Sequence, residues 1–221
     1  MILCHPQIET VIDFAQEGVP TLVIENQSFF RALLTDLYAQ KDGMDGSFIL
    51  SDNGKTLSIG SAAEVIDNCF RFQLNSKPLL NKIASAMEQL AVNEAFFLKT
   101  SELLQHLEQY MEELAFAFDC DIVCERCTVA GVVKAMGVTL RDEYEDPLER
   151  LVDYMELVRE FDRDKLFILV NLRCFFNDEE MERFLKTTAE HGYRVLLLDS
   201  TDREKLPHER RTTIDIDLCE F

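Results

Sequence analysis

Apolar positions in this chain follow two patterns, unbroken runs and helical spacing. Residues 21–25 (Thr-Leu-Val-Ile-Glu), 166–171 (Leu-Phe-Ile-Leu-Val-Asn) and 194–199 (Arg-Val-Leu-Leu-Leu-Asp) are apolar runs, each closed by a polar residue. Strands covered on both faces lose polar alternation, so the three runs predict buried strands. Between the last two, Asn177-Asp-Glu-Glu opens a helical pattern, which gives strand, crossover helix, strand. The helix after the first run begins near Asn26 or Ser28 and carries Phe29, Phe30, Leu33, Leu34 and Leu37 on one face. Residues 47–51 and 55–59 read as a hairpin, because Asn53-Gly54 between them supplies the positive φ of a tight turn. Ser61-Ala-Ala-Glu64 is a capping-box pattern and predicts a short helix through Phe70.

From Pro78 to about Phe118 the spacing is helical and long. Leu79, Leu80, Ile83, Met87, Leu90 and Ala91 recur on it, as do Leu103, Leu104, Leu107, Met111 and Leu114. A further helix over residues 128–136 ends at Gly137, a left-handed cap. Asp146-Pro147 places an N-cap before a proline at the first helical position, and Leu148, Leu151, Val152, Met155 and Val158 follow on one face. The expected fold class is α/β, with a head formed by residues 1–78 and 141–221. Residues 79–140 form an inserted helical leg.

Charge changes the picture next. The chain has 41 acidic and 22 basic residues, a net charge of −19. Such a field repels phosphate, so nucleic acid could be held only where basic residues gather. Arg71, Lys77 and Lys82 form one such neighbourhood, Lys134 stands alone, and Arg203, Lys205, Arg210 and Arg211 lie near the end. The seven cysteines are odd in number and irregularly spaced, which points to reduced thiols in a cytoplasm. The first residues carry no targeting pattern, and no apolar run is long enough to span a bilayer.

Four patterns invite chemistry. Cys120, Cys124 and Cys127 have the CxxxCxxC spacing of cluster-binding radical enzymes, but helices flank them and no repeated strand–helix barrel is present. Gly54-Lys55-Thr56 resembles the end of a phosphate loop, yet Ile49 stands where its first glycine belongs and strand-like sequence follows. The four histidines are scattered, and no serine or cysteine pairs with one as a nucleophile. Glu102, Glu108, Glu112, Glu113, Asp119, Asp121 and Glu125 form an acidic tract without a lysine or arginine among them. Like charges at Glu108 and Glu112, and acids at a helix end, cost stability unless solvated or neutralised. The tract is either a solvated face or a set of oxygen ligands for a hard cation.

The ordered set of these segments resembles a known family. It comprises residues 21–25, Asn75-Ser-Lys-Pro-Leu-Leu-Asn-Lys-Ile83, Val132-Val-Lys134-Ala-Met-Gly137, residues 166–171, Asn177-Asp-Glu-Glu and residues 194–199. Leu206-Pro207 and then Ile214-Asp-Ile216 stand as its last turn and strand. The set is similar to the CRISPR-associated Csn-two family of type II-A systems, ring-shaped DNA-end-binding proteins of spacer acquisition. The resemblance implies a degenerate RecA-like, P-loop-like head without a working nucleotide site, and an inserted α-helical leg. It further implies a non-catalytic cytoplasmic homotetramer that threads double-stranded DNA ends and is stabilised by calcium. Its partners would be the other adaptation proteins, an integrase complex and the guide-RNA nuclease. Carried over, the calcium ligands fall on Asp119, Asp121 and Glu125, with Cys120 and Cys124 interposed as a departure from the pattern. Lys134 matches the family's lysine and is assigned to DNA, together with Lys77, Lys82 and Arg71. Two other readings stay open: an ATPase or iron–sulfur enzyme on a RecA-like head, and an acidic structural interaction protein.

Overall fold

A computed structural model describes residues 1–221 as two units, Met1–Phe72 with Tyr144–Phe221, and Gln73–Glu143. In the first unit the three apolar runs are strands: β3 (Val19–Ile24), β7 (Leu166–Val170) and β8 (Arg194–Asp199). Every residue of β3 and β7 is buried. With β6 (Ala63–Ile66) and β9 (Glu209–Ile214) they make a five-stranded parallel sheet in the order β6-β7-β8-β3-β9. A second, antiparallel sheet has the order β2-β1-β4-β5, from β1 (Ile2–His5), β2 (Ile8–Asp13), β4 (Ile49–Asp52) and β5 (Lys55–Leu57). Asp52 pairs with Lys55 across Asn53 and Gly54, whose φ values of 47° and 76° give the expected tight turn.

Alternation along the strands sorts the core. Leu22, Ile24, Ile168, Leu196 and Leu198 face one way and join Leu3, Ile12 and Leu50 of the antiparallel sheet. The same cluster takes Phe29, Phe30, Leu33 and Leu37 from helix α1 (Gln27–Lys41). Phe167 lies on the other face with Tyr154 of helix α6 (Pro147–Phe161), at 6.4 Å between ring centroids. Helix α7 (Asp178–His191), which packs on β3, buries Met181, Phe184 and Leu185. Each such side chain contributes about 1.5–3 kcal/mol by leaving water. Local signals set the helix starts. Asn26 accepts from the amide of Phe29, Asp146 from that of Leu148, and Asn177 completes a reciprocal capping box with Glu180.

Two expectations fail. Ser61 does not open a helix: helix α2 (Ile59–Ala62) is a single turn, and residues 63–66 are the edge strand β6. Val65 and Ile66 pair with Ile168 and Leu169 of β7, and that burial outweighs the local capping pattern. Gly60 sits in the turn because a Cβ there would stand 2.6 Å from the carbonyl oxygen of Lys41, at the end of α1. The last strand runs from Glu209 to Ile214 and not over residues 214–216, so Asp215 and Ile216 lie beyond it and Arg210 and Arg211 are strand residues.

The second unit is helical: α3 (Lys77–Ala91), α4 (Phe97–Ala115) and α5 (Val129–Met136). The long helical tract breaks after Ala91, where the Asn93 side chain accepts the amides of Ala95 and Phe96. α5 starts at Thr128, which caps Gly131, and stops at Gly137 with φ 68°. α3 packs on α5. α4 buries none of its residues.

Candidate nucleic-acid interface and acidic segment

Lys77 is the first residue of α3 and Lys82 follows five positions later. At 3.6 residues per turn they point about 140° apart, so the helix does not gather them into one stripe. Lys134 stands in the last turn of α5, where a cation complements the carboxyl end of a helix. The side-chain amide of Asn75 ties this helix pair together. It accepts from the amide of Leu140 at 2.7 Å and donates to the carbonyl of the same residue at 3.1 Å. Arg71 belongs to the other unit, in the turn after β6. All four cations are exposed and none is engaged in a salt bridge.

The basic residues near the end of the chain are different. Arg210 donates to the carbonyls of Asp13 and Glu17 at 2.6 and 3.3 Å. Arg211 holds the carboxylate of Glu209 through Nε and Nη2 at 2.9–3.0 Å, and that of Asp202 through Nη1 at 2.8 Å. These two arginines are therefore engaged internally, and only Arg203 and Lys205 of the group are exposed.

Glu209 is the centre of a buried polar cluster. Its side chain has no exposed surface, and Arg173, 3% exposed, approaches it to 3.7 Å. Arg173 also donates to Asp178 at 3.0 Å and to the carbonyl of Glu204 at 3.1 Å. Beside it, at the carboxyl end of β8, Asp199 is 4% exposed and neither of its oxygens has a hydrogen-bond partner. Burial pushes its carboxyl up to about 6, against the pull of Arg173. Asn171, in the left-handed region at φ 52°, accepts from the amide and the hydroxyl of Ser200 at 2.8 and 2.9 Å. Open α/β sheets take ligands at these strand ends. Polar residues closing two apolar runs were the visible signal for this place. Arg173, Glu209 and Arg211 gave none, since their partners lie on other elements.

A phosphate loop has no room between β3 and α1. One connects a strand to a helix through eight or so glycine-rich residues. Here β3 and α1 are joined by Glu25 and Asn26 alone, and Asn26 is spent on the helix cap. Gly54-Lys55 lies in the β4–β5 turn, with no helix after it to cradle phosphate.

The acidic tract folds back on itself. The carboxylate of Glu108, on α4, accepts from the amide of Cys127 at 2.9 Å, which brings the irregular segment 116–128 over the helix. Glu112, Cys120 and Asp121 line one pocket of about 250 Å³. Asp119, Asp121 and Glu125 are all exposed, and this single chain gathers no group of three His, Cys, Asp or Glu side chains that could hold a metal ion. The donors are chemically suited to a hard cation, but the chain alone does not form the cage of six to eight oxygens that calcium takes. Cys120 and Cys124 are exposed free thiols and Cys127 is partly buried.

Residues 40–218 match the model of a family described as CRISPR-associated protein (Cas_Csn2). No curated protein matches the chain.

Proposed function

The chain belongs to the Cas_Csn2 family of CRISPR-associated proteins, and from that membership we propose that it binds double-stranded DNA ends during spacer acquisition, as a non-catalytic cytoplasmic ring of four copies. The match over residues 40–218 carries this reading. Exposed Lys77, Lys82, Lys134 and Arg71 supply cations for phosphate, which position a duplex without identifying its bases. Symmetry multiplies each of them, so a local positive surface builds up in an acidic molecule. The two-residue join between β3 and α1 leaves no phosphate loop at that place in the head. Partners in adaptation, an integrase complex and the guide-RNA nuclease, would meet the assembled ring.

Calcium is part of the proposal. Glu112 and Asp121 already share a pocket, and Asp119 and Glu125 stand on the same irregular segment. A calcium ion would neutralise charges that otherwise repel one another at the end of α4. The ligands still lacking in one chain would come from the rest of that segment or from a neighbouring copy. The decisive experiment compares linear and closed circular duplex at several calcium and salt concentrations. Retention of linear DNA alone, weakening as salt rises, is the expected result. Equal affinity for the two forms would overturn threading.

A further inference from the structure

DNA and calcium leave three closely spaced cysteines unused. Cys120, Cys124 and Cys127 are all free thiols, and they differ in setting. Cys120 lines the pocket at the end of α4. Cys124 is exposed and Cys127 is half-buried, with only Glu125 and Arg126 between them. Residues 121–128 belong to no helix, strand or turn, so no backbone ladder is broken if this stretch bends. Cys127 is the anchored member of the pair. Its amide donates to Glu108 at 2.9 Å, and the next residue, Thr128, caps α5. A tight turn of four residues brings its first and last Cα atoms within about 7 Å, the reach of a disulfide.

We propose that Cys124 and Cys127 are a reversible dithiol–disulfide pair, a modification site through which a small-molecule disulfide such as oxidised glutathione acts on this segment. The Cys124 thiolate attacks one sulfur of oxidised glutathione, and the first glutathione leaves with the electron pair of the broken S–S bond. Cys127 then gives up its proton and attacks the Cys124 sulfur, which forms the protein disulfide and releases the second glutathione. Two electrons pass from the protein thiols to glutathione, and the two protons end on the released thiols. The attacking thiol must be accessible and the resolving one held close by, which is how these two cysteines differ. Such a pair stays open in a reducing cytoplasm and closes under oxidation. The closed ring contains Glu125, so oxidation also restrains one of the carboxylates proposed for calcium. That consequence rests on the calcium reading; the thiol chemistry does not.

The test uses the full chain in the presence of chelator, so that calcium plays no part. The protein is equilibrated in glutathione buffers of rising oxidised fraction, blocked with N-ethylmaleimide and mapped by mass spectrometry. A Cys124–Cys127 disulfide free of bound glutathione is expected in the wild type. In Cys127→Ser the Cys124 sulfur has no resolving partner and should carry glutathione at about ten times the wild-type level. Trypsin gives a second readout, because the exposed Arg126 is the only basic residue of segment 116–128. Ring closure should slow cleavage after Arg126 about tenfold relative to the reduced chain. Thermal melts establish that Cys127→Ser is folded, and the wild-type map stands without it. Equal glutathione on Cys124 in the two proteins would overturn the proposal. So would a wild-type disulfide joining Cys120 to Cys124, or no disulfide in fully oxidised glutathione.

Discussion

Asp199 keeps its carboxylate among Arg173, Arg203 and Arg211, with Glu209 opposing them, and burial still outweighs the arginines. Its carboxyl is raised from 3.8 to about 6, so the folded chain holds this proton more tightly than the unfolded one. The stabilising contribution is therefore full below about pH 4 and is lost as pH rises through 6. Asp199→Asn keeps the shape and removes the charge. It should stabilise the protein by about 2 kcal/mol at pH 7.5, and the gain should shrink steadily as pH is lowered toward 4. Denaturant melts at several pH values measure this; a pH-independent difference would mean that the carboxylate is not the cause. Lys134 has the opposite character, exposed and unpaired. Lys134→Ala should weaken binding to all duplex sequences alike and lower the salt slope by about one, as for a lost phosphate contact. A sequence-selective loss in binding assays would argue for a base contact instead.

Helices were legible in the sequence because their signals are local. Asn26, Thr128, Asp146 and Asn177 each accept an amide two or three residues onward, and a reader of the sequence needs nothing beyond that window. Strand β6 was misread for the converse reason. Its partner Leu166 lies about a hundred residues away, while Ser61 and Glu64 display a capping pattern that local reading favours. The acidic tract was visible as charge, but the bond from Cys127 to Glu108 spans nineteen positions and no spacing rule foretells it. The Asn75 clasp joins residues 65 apart and was equally hidden. Asn75→Ala removes both of its bonds to Leu140, and a net loss of about 1–2 kcal/mol is expected. Hydrogen exchange should detect it as faster amide exchange in α3 and α5 with the parallel sheet unaffected. Uniform acceleration through both units would show that the clasp supports more than the helix pair.

At the scale of the whole molecule, α4 is an anomaly for a free chain. It runs through nineteen residues without burying one, and Leu103, Tyr110, Met111 and Leu114 are exposed on it. Large contiguous apolar surface of this kind marks an interaction face. If four copies and calcium cover it, as proposed, calcium should raise both the melting temperature and the tetramer fraction. An ion that binds only the folded form adds about 2.7 kcal/mol at a hundredfold excess over its dissociation constant. Asp121→Ala should blunt both effects, followed by light scattering and thermal melts with and without chelator. Unchanged melting and size on chelation would return these carboxylates to a solvated face.

The two-residue join between β3 and α1 also limits what single substitutions can do to this strand end. A side chain can be changed by one codon, but a phosphate loop needs a longer stretch of backbone than this join provides. Point mutations at Glu25, Asn26 or their neighbours leave this join too short for such a loop. Only an insertion of several residues, placed without unseating the Asn26 cap, would make room for one there.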